Sequence, residues 1–276
     1  MNAQLAAAVG IDTRQQGSGR VRRILRALSV PLFVLVVWWL AARWKLVNPL
    51  LLAPPDLVLA RALEEVQQGE LFSQLLASVQ RDLLGFVIGV LAGAIVGGAM
   101  GVSQVVNRIV GPTFHALKQV AIFAWIPLMS VWLGTGEQAK VAFIALSAFF
   151  PVVLHTYEGV RGVSNNYLEV ARVFRFTPWQ TLRRVVLPAA APEFSAGVQL
   201  ALVYAWLGTM GAEYLLAAGP GLGNLMIDGR EQLAMDKVLL GVVIVGCVGA
   251  LFNSLAAFAE QRALRGRTNG QALQST

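Results

Sequence analysis

Six long stretches without a charged residue dominate this sequence. They lie between Arg26 and Arg43, Asp82 and Arg108, Lys118 and Glu137, Lys140 and Glu158, Glu193 and Glu213, and Lys237 and Glu260. Each is roughly 16 to 25 residues, enough to carry a helix across a hydrocarbon core about 30 Å thick. Continuous apolarity argues against barrel strands, whose residues alternate between lipid and lumen. Composition agrees, with 56% hydrophobic and 13% charged residues, where soluble domains carry about a quarter charged. The sequence predicts an all-α membrane protein with six transmembrane helices.

Charge sets the expected orientation. With the N-terminus in the cytoplasm, the inner segments hold about twice as many Lys and Arg as the outer ones, which places both termini inside. The net charge of +7 then reflects membrane topology, and a nucleic-acid partner is not expected because no soluble domain presents a basic face. Residues 1–26 read as a cytoplasmic tail, 27–262 as the transmembrane domain and 263–276 as a second cytoplasmic tail. The first apolar run ends in WWLAARWKL, without a small-residue cleavage site, and reads as a retained span. Cys247, the single cysteine, excludes a disulfide framework within the chain and reads as a small buried residue.

Between the spans, local chemistry is more specific. Prolines 49, 54 and 55 stop the first helix, and an acidic amphipathic segment from about 56 to 68 is expected along the outer membrane surface. Gly85, Gly89, Gly93, Gly97 and Gly101 recur every four residues, which stacks them on one helix face and predicts close approach of another helix. Pro127 is expected to bend the third span near its outer side. The segment GTGEQAK at 134–140 is no phosphate loop, since G-x-x-x-x-G-K-[ST] is absent from the chain.

The polar stretch EVARVFRFTPWQTLRRVVLP, 169–188, lies in a loop from about 158 to 191, too long to be structureless in a compact fold. Thr177, Pro178 and Gln180 make a helix start, and Pro188 is expected to end that helix. Trp179, Leu182, Val185 and Val186 are expected on one face, with Gln180, Arg183 and Arg184 on the other. YLEVARVF forms a preceding short helix, giving a helix-turn-helix. No Walker pattern, paired carboxylates, nucleophile elbow or His/Cys cluster appears. His115 and His155, about 40 residues apart, read as packing or hydrogen-bonded histidines. No metal site and no enzymatic chemistry are expected.

The loop resembles the cytoplasmic signature of binding-protein-dependent ABC importer permeases: Glu-Ala-Ala, three residues, Gly, nine residues, Ile, one residue, Leu-Pro. Here it reads Glu169, Val170, Ala171, then Arg175, Val185, Leu187 and Pro188. LAPPDLVLA, WIPLMSVWLG, AKVAFIALSAFFPVVLHTYEGV and AWLGTMGAEYLLAAGPGLGNLM resemble the nitrate, sulfonate and taurine branch. The resemblance implies a type I importer-like permease in a bacterial inner membrane, with a coupling helix-turn-helix that enters a groove on an ATPase dimer. Glu169 would be presented there, anchored by Phe174 and Trp179. It also implies ATP bound by the partner and no cofactor on this chain, a second permease copy as a homodimer, and a periplasmic or lipid-anchored substrate-binding protein. The cargo would be a small anion such as an aliphatic sulfonate, taurine or nitrate. Arg175 replaces the glycine expected where the first helix ends, where a left-handed backbone costs a non-glycine residue about 1–2 kcal/mol. Lys118, Pro127 and Glu213 are the candidates for the translocation path. The alternative is an autonomous secondary transporter or channel, which would need coupling-ion ligands that the apolar spans scarcely offer.

Overall fold

The computed structural model describes residues 29–30, 32–44, 46, 48, 52–216 and 219–271. The expected N-terminal tail, 1–26, lies outside them. The described residues contain helices and connecting turns and no strand. The chain divides into two compact units, Met1–Ala60 and Arg61–Thr276.

In the first unit, α1 (Leu32–Arg43) is an apolar helix. Trp38 Nε1 donates to Ala53 O at 3.1 Å, and this ties the helix to the segment leading into α2 (Pro55–Gln68). The acidic amphipathic segment expected at 56–68 is therefore a helix.

The second unit is built on three long helices: α3 (Glu70–Val102), α6 (Glu137–Arg161) and α9 (Leu187–Leu216). The glycine ridge explains why α3 and α6 meet. A Cβ added at Gly85, Gly93, Gly97 or Gly101 would lie 2.5–2.8 Å from Ile144, Val152, Val153 or Val160. The missing side chains let the two backbones approach, and van der Waals contact replaces a hydrophobic driving force that lipid does not supply. The other side of α6 packs on α9 through Gly159, Gly197 and Gly208. Ile144, Ala148, Val152, Ala201 and Ala205 fill the centre. With 56% of its apolar window buried against 11% for α11 (Met235–Gln271), α6 is the axis of the unit.

α11 packs along one edge. Trp206 Nε1 donates to Val245 O at 3.1 Å, and the Trp206 ring meets Phe252 edge-on. Only one side of α11 is engaged, so Cys247 is exposed rather than buried as expected. The helix continues through Gln271, into the segment expected as a C-terminal tail, 263–276. Arg61 donates to Asp236 at 2.8 Å and Lys237 pairs with Glu65 at 3.2 Å, so the later half of α2 grips the start of α11. The hydrogen bond to Asp236 holds the Arg61 pKa above its ordinary value.

Four helical segments are long and apolar enough to cross a membrane: Glu70–Val102, Glu137–Arg161, Pro178–Leu216 and Met235–Phe258. A fifth candidate is a bent pair. The third span expected between Lys118 and Glu137 is replaced by α4 (Gln104–Leu117) and a segment Ile122–Leu133, which ends in α5 (Ile126–Leu133), with a 96° turn between them. Counting uncharged runs fails here because Lys118 is not at an interface but at the break itself. Pro127 does not bend the helix either; it lies in the first turn of α5, where its missing N–H has no intrahelical acceptor.

Candidate functional site

At one end of the second unit, the turn after α6 leads into the polar stretch singled out above. α7 (Asn165–Val173) starts at Ser164, whose Oγ accepts from Asn166 N at 3.3 Å. It ends in a paired-bond turn: Arg175 N donates to Arg172 O at 2.9 Å and Phe176 N to Ala171 O at 3.0 Å. That closure requires a left-handed residue, and Arg175 occupies it at φ 51°. The arginine thus adopts the conformation for which the family pattern reserves glycine.

The next helix begins as its sequence dictates. Thr177 Oγ1 accepts from Gln180 N at 3.2 Å, and Gln180 Oε1 accepts from Thr177 N at 2.9 Å, with Pro178 at the first helical position. α8 (Pro178–Thr181) does not stop at Pro188. It runs through a π-helical turn, Leu182–Val186, into α9. Leu187 N donates to Leu182 O, one residue further back than in an α-helix. A proline at 188 can neither donate to the carbonyl four residues back nor tolerate it close by, and the widened turn accommodates both constraints. Leu182, Val185 and Val186 are half-buried and Arg183 and Arg184 exposed, as expected, but Trp179 is exposed and borders a hollow with Gln180, Arg183 and Arg184.

The result is a helical hairpin with an exposed tip. Glu169, Val170, Phe174, Arg175, Trp179 and Leu187 are exposed, Ala171 is buried beneath them and Pro188 is half-buried. Phe174 is 70% and Trp179 65% accessible, unusual for aromatics with no cover from their own chain.

The Lys118 neighbourhood lies elsewhere in the same unit. The break after Leu117 opens a cavity of about 350 Å³, lined by Lys118, Gln119, Ser147, Phe150, Leu200 and Tyr204 among others. Ser147 and Tyr204 are mid-helix residues of α6 and α9, so Lys118 borders a cavity that reaches the middle of the bundle. The lysine ion pairs among the described residues are those of Lys140 and Lys237, and Lys118 has none.

Glu213 occupies a different environment. At the end opposite the hairpin it is fully buried, accepting from Arg81, from Ser78 Oγ at 2.9 Å and from Gly223 N at 2.8 Å. Arg81, 4% exposed, also donates from Nε and Nη2 to the two oxygens of Glu137 at 2.6 Å, and to Pro220 O at 3.1 Å. The carboxylate thereby caps α10 (Leu222–Glu231), where unpaired N–H groups favour an anion. Gly221 and Gly223 are needed because a Cβ on either would strike the Glu213 side chain. Beside this network Thr209 Oγ1 donates to Asp82 Oδ1 at 2.8 Å. Lys118, Pro127 and Glu213 stand in different settings: Glu213 in the buried network, Lys118 at the helix break, and Pro127 in the exposed first turn of α5, next to Ile126, which packs with Ala212 and Leu216. Arg81, beside the charged residue that opens the second apolar run, is internal. Its signal was the pair Arg81–Asp82 at the mouth of an apolar run, together with the glycine-rich AAGPGLGNLM.

Fold and hairpin together define an integral membrane subunit of apolar, glycine-packed helices bearing one exposed helical hairpin. The chain belongs to the family described as binding-protein-dependent transport system inner membrane component, whose model matches residues 85–265, and is thus the permease component of an ABC importer. It is 34% identical over 245 residues to the putative aliphatic sulfonates transport permease protein SsuC of Bacillus subtilis, covering 89% of this chain and 88% of that one. It is 34% identical over 235 residues to the taurine transport system permease protein TauC of Escherichia coli, covering 83% and 85%. An amino acid ABC transporter crystallised with histidines shares the fold, with a TM-score of 0.60 at 18% identity over 72% of this chain and 97% of that one.

Proposed function

We propose that two copies of this chain form the membrane channel of an ATP-driven importer for a small organic anion in a bacterial inner membrane. In this reading α1 and its flanks, α3, the bent pair α4–α5, α6, α8–α9 and α11 make six crossings, and both termini and the hairpin face the cytoplasm. The hairpin inserts into a separate ATPase subunit, which binds the nucleotide, and the opposite end receives cargo from a substrate-binding protein. This chain needs no cofactor for that role.

One observation carries the reading: a capped hairpin that leaves Phe174 and Trp179 exposed at its tip. Burying each aromatic in a partner groove would contribute about 1.5–3 kcal/mol, enough to hold the hairpin while the ATPase moves. Glu169, Val170, Arg175 and Leu187 are exposed around these anchors. Ala171 and Pro188 shape the hairpin from beneath. A small anionic cargo is supported by Lys118, whose ammonium has no carboxylate partner among the described residues and borders a mid-bundle cavity. The relatives named for aliphatic sulfonates and taurine point the same way. Reconstitution in proteoliposomes with the ATPase and binding protein tests the reading: uptake of a sulfonate must require ATP. Uptake driven by an ion gradient without ATP would instead make the chain an autonomous carrier.

A further inference from the structure

We propose that His155, Glu158 and Glu193 bind a divalent transition-metal ion of the Zn²⁺ class, clipping α6 to α9 where the hairpin leaves the first and enters the second. One ligand-type atom from each residue lies within 4.8 Å of the other two, and His155 Nδ1 is hydrogen-bonded to Glu193 Oε1 at 2.6 Å, a contact that a bound ion would replace. His155 and Glu158 are three residues apart, one turn of the same helix, so both project toward the same side. Glu193 comes from the first turns of α9. One imidazole and two carboxylates leave room for water, a donor set suited to Zn²⁺, Mn²⁺ or Co²⁺ more than to Mg²⁺ or Ca²⁺, which prefer oxygen alone.

Two further observations make this a built arrangement. A Cβ at Gly197 would lie 2.5 Å from His155 Cβ, and one at Gly159 would lie 2.9 Å from Glu193 Cβ. The two glycines therefore let the helices close on the ligand side chains. Two carboxylates also converge here: His155 is the one basic side chain paired with Glu193 among the described residues, and the arginine nearest Glu158 in sequence, Arg161, is placed over the Tyr157 ring at 5.9 Å. Among the described residues no Lys or Arg pairs with Glu158 or Glu193. A divalent ion would neutralise the pair and fix the spacing of the two helices on which the hairpin is mounted. This runs against the sequence expectation of no metal site, because Glu193 meets His155 only through the fold.

The test is titration of the purified full chain in detergent with Co²⁺, read by its visible absorption, followed by competition with Zn²⁺. The expected result is one Co²⁺ per chain in a low-symmetry site, displaced by Zn²⁺, with a higher thermal midpoint for the Zn²⁺-loaded protein. Glu158→Gln changes an exposed side chain and leaves packing intact, and should weaken binding at least about tenfold, as loss of a ligand does. His155→Ala should abolish the spectrum. His115→Ala and Cys247→Ser, which remove the only other histidine and the only thiol, should leave it unchanged. A spectrum of fully hydrated Co²⁺ throughout the titration, or binding unaltered by both Glu158→Gln and His155→Ala, would overturn the proposal.

Discussion

Two adjacent glycines of α3 give opposite expectations for the same substitution. In a helix interior, Gly→Ala stabilises by about 1 kcal/mol because alanine leaves the unfolded backbone fewer states to lose. At Gly98 that gain can appear in full: an added Cβ would have Thr156 Cγ2 as its only neighbour, at 4.0 Å. At Gly97 the same atom would lie 2.5 Å from Val153 O and 2.9 Å from Thr156 Cβ. Non-bonded carbons settle at about 3.5–4.0 Å, and neither obstacle is the loose end of a side chain, so α3 and α6 must separate locally. Overpacking of this kind costs about 1–3 kcal/mol, more than the propensity gain. Gly97→Ala should therefore lose up to about 2 kcal/mol, and Gly98→Ala should be neutral or gain up to about 1 kcal/mol. Thermal unfolding of the two variants in one detergent, at about 2–4 °C per kcal/mol, should separate their midpoints by several degrees. If both shift alike in sign and size, the glycine ridge is not what sets the α3–α6 distance.

The turn at Arg175 makes a second prediction: Arg175→Gly should relieve a left-handed arginine and stabilise the hairpin by about 1 kcal/mol, seen as slower amide exchange at Phe176, whose N–H closes the turn; faster exchange would contradict it. Arg81→Met should be severely destabilising, by about 3–5 kcal/mol, since Glu213 would remain buried without its cation; near-normal yield and thermal midpoint would show that the network is dispensable. Lys118→Gln should reduce anion uptake more than basal ATP hydrolysis, with Lys118→Arg better tolerated, and equal uptake at matched expression would remove Lys118 from the path.

Much of this architecture was legible because bilayer physics leaves few choices. The glycine spacing in α3 specified a close helix contact, and the contact is made along the ridge by α6. The Thr177–Pro178–Gln180 start specified a cap that forms with both of its hydrogen bonds. What failed was the assumption that charges mark membrane boundaries. Arg81 is inside the protein because Glu137 and Glu213, more than 50 residues away in sequence, pair with it, and Asp82 lies beside it with one oxygen bound to Thr209. Lys118 ends α4 at a break that no proline announces. Pro188 reads locally as a stop, yet the π turn lets the helix pass through it. His155 and Glu193 meet because α6 and α9 cross at Gly159 and Gly197, a tertiary fact invisible in either segment alone.

The central claim is that the hairpin is the grip of a separate ATPase, and co-purification tests it most directly. Wild type, Glu169→Ala, Trp179→Ala and the double variant Phe174→Ala/Trp179→Ala would each be co-expressed with the ATPase subunit, extracted in detergent and pulled down through a tag on the permease. All four should insert equally, because these side chains are exposed and support no part of the core. The double variant should retain little ATPase and lose substrate-stimulated ATP hydrolysis, and each single variant should show a partial loss. Recovery of the ATPase at wild-type ratio by the double variant, with normal stimulated hydrolysis, would contradict the account.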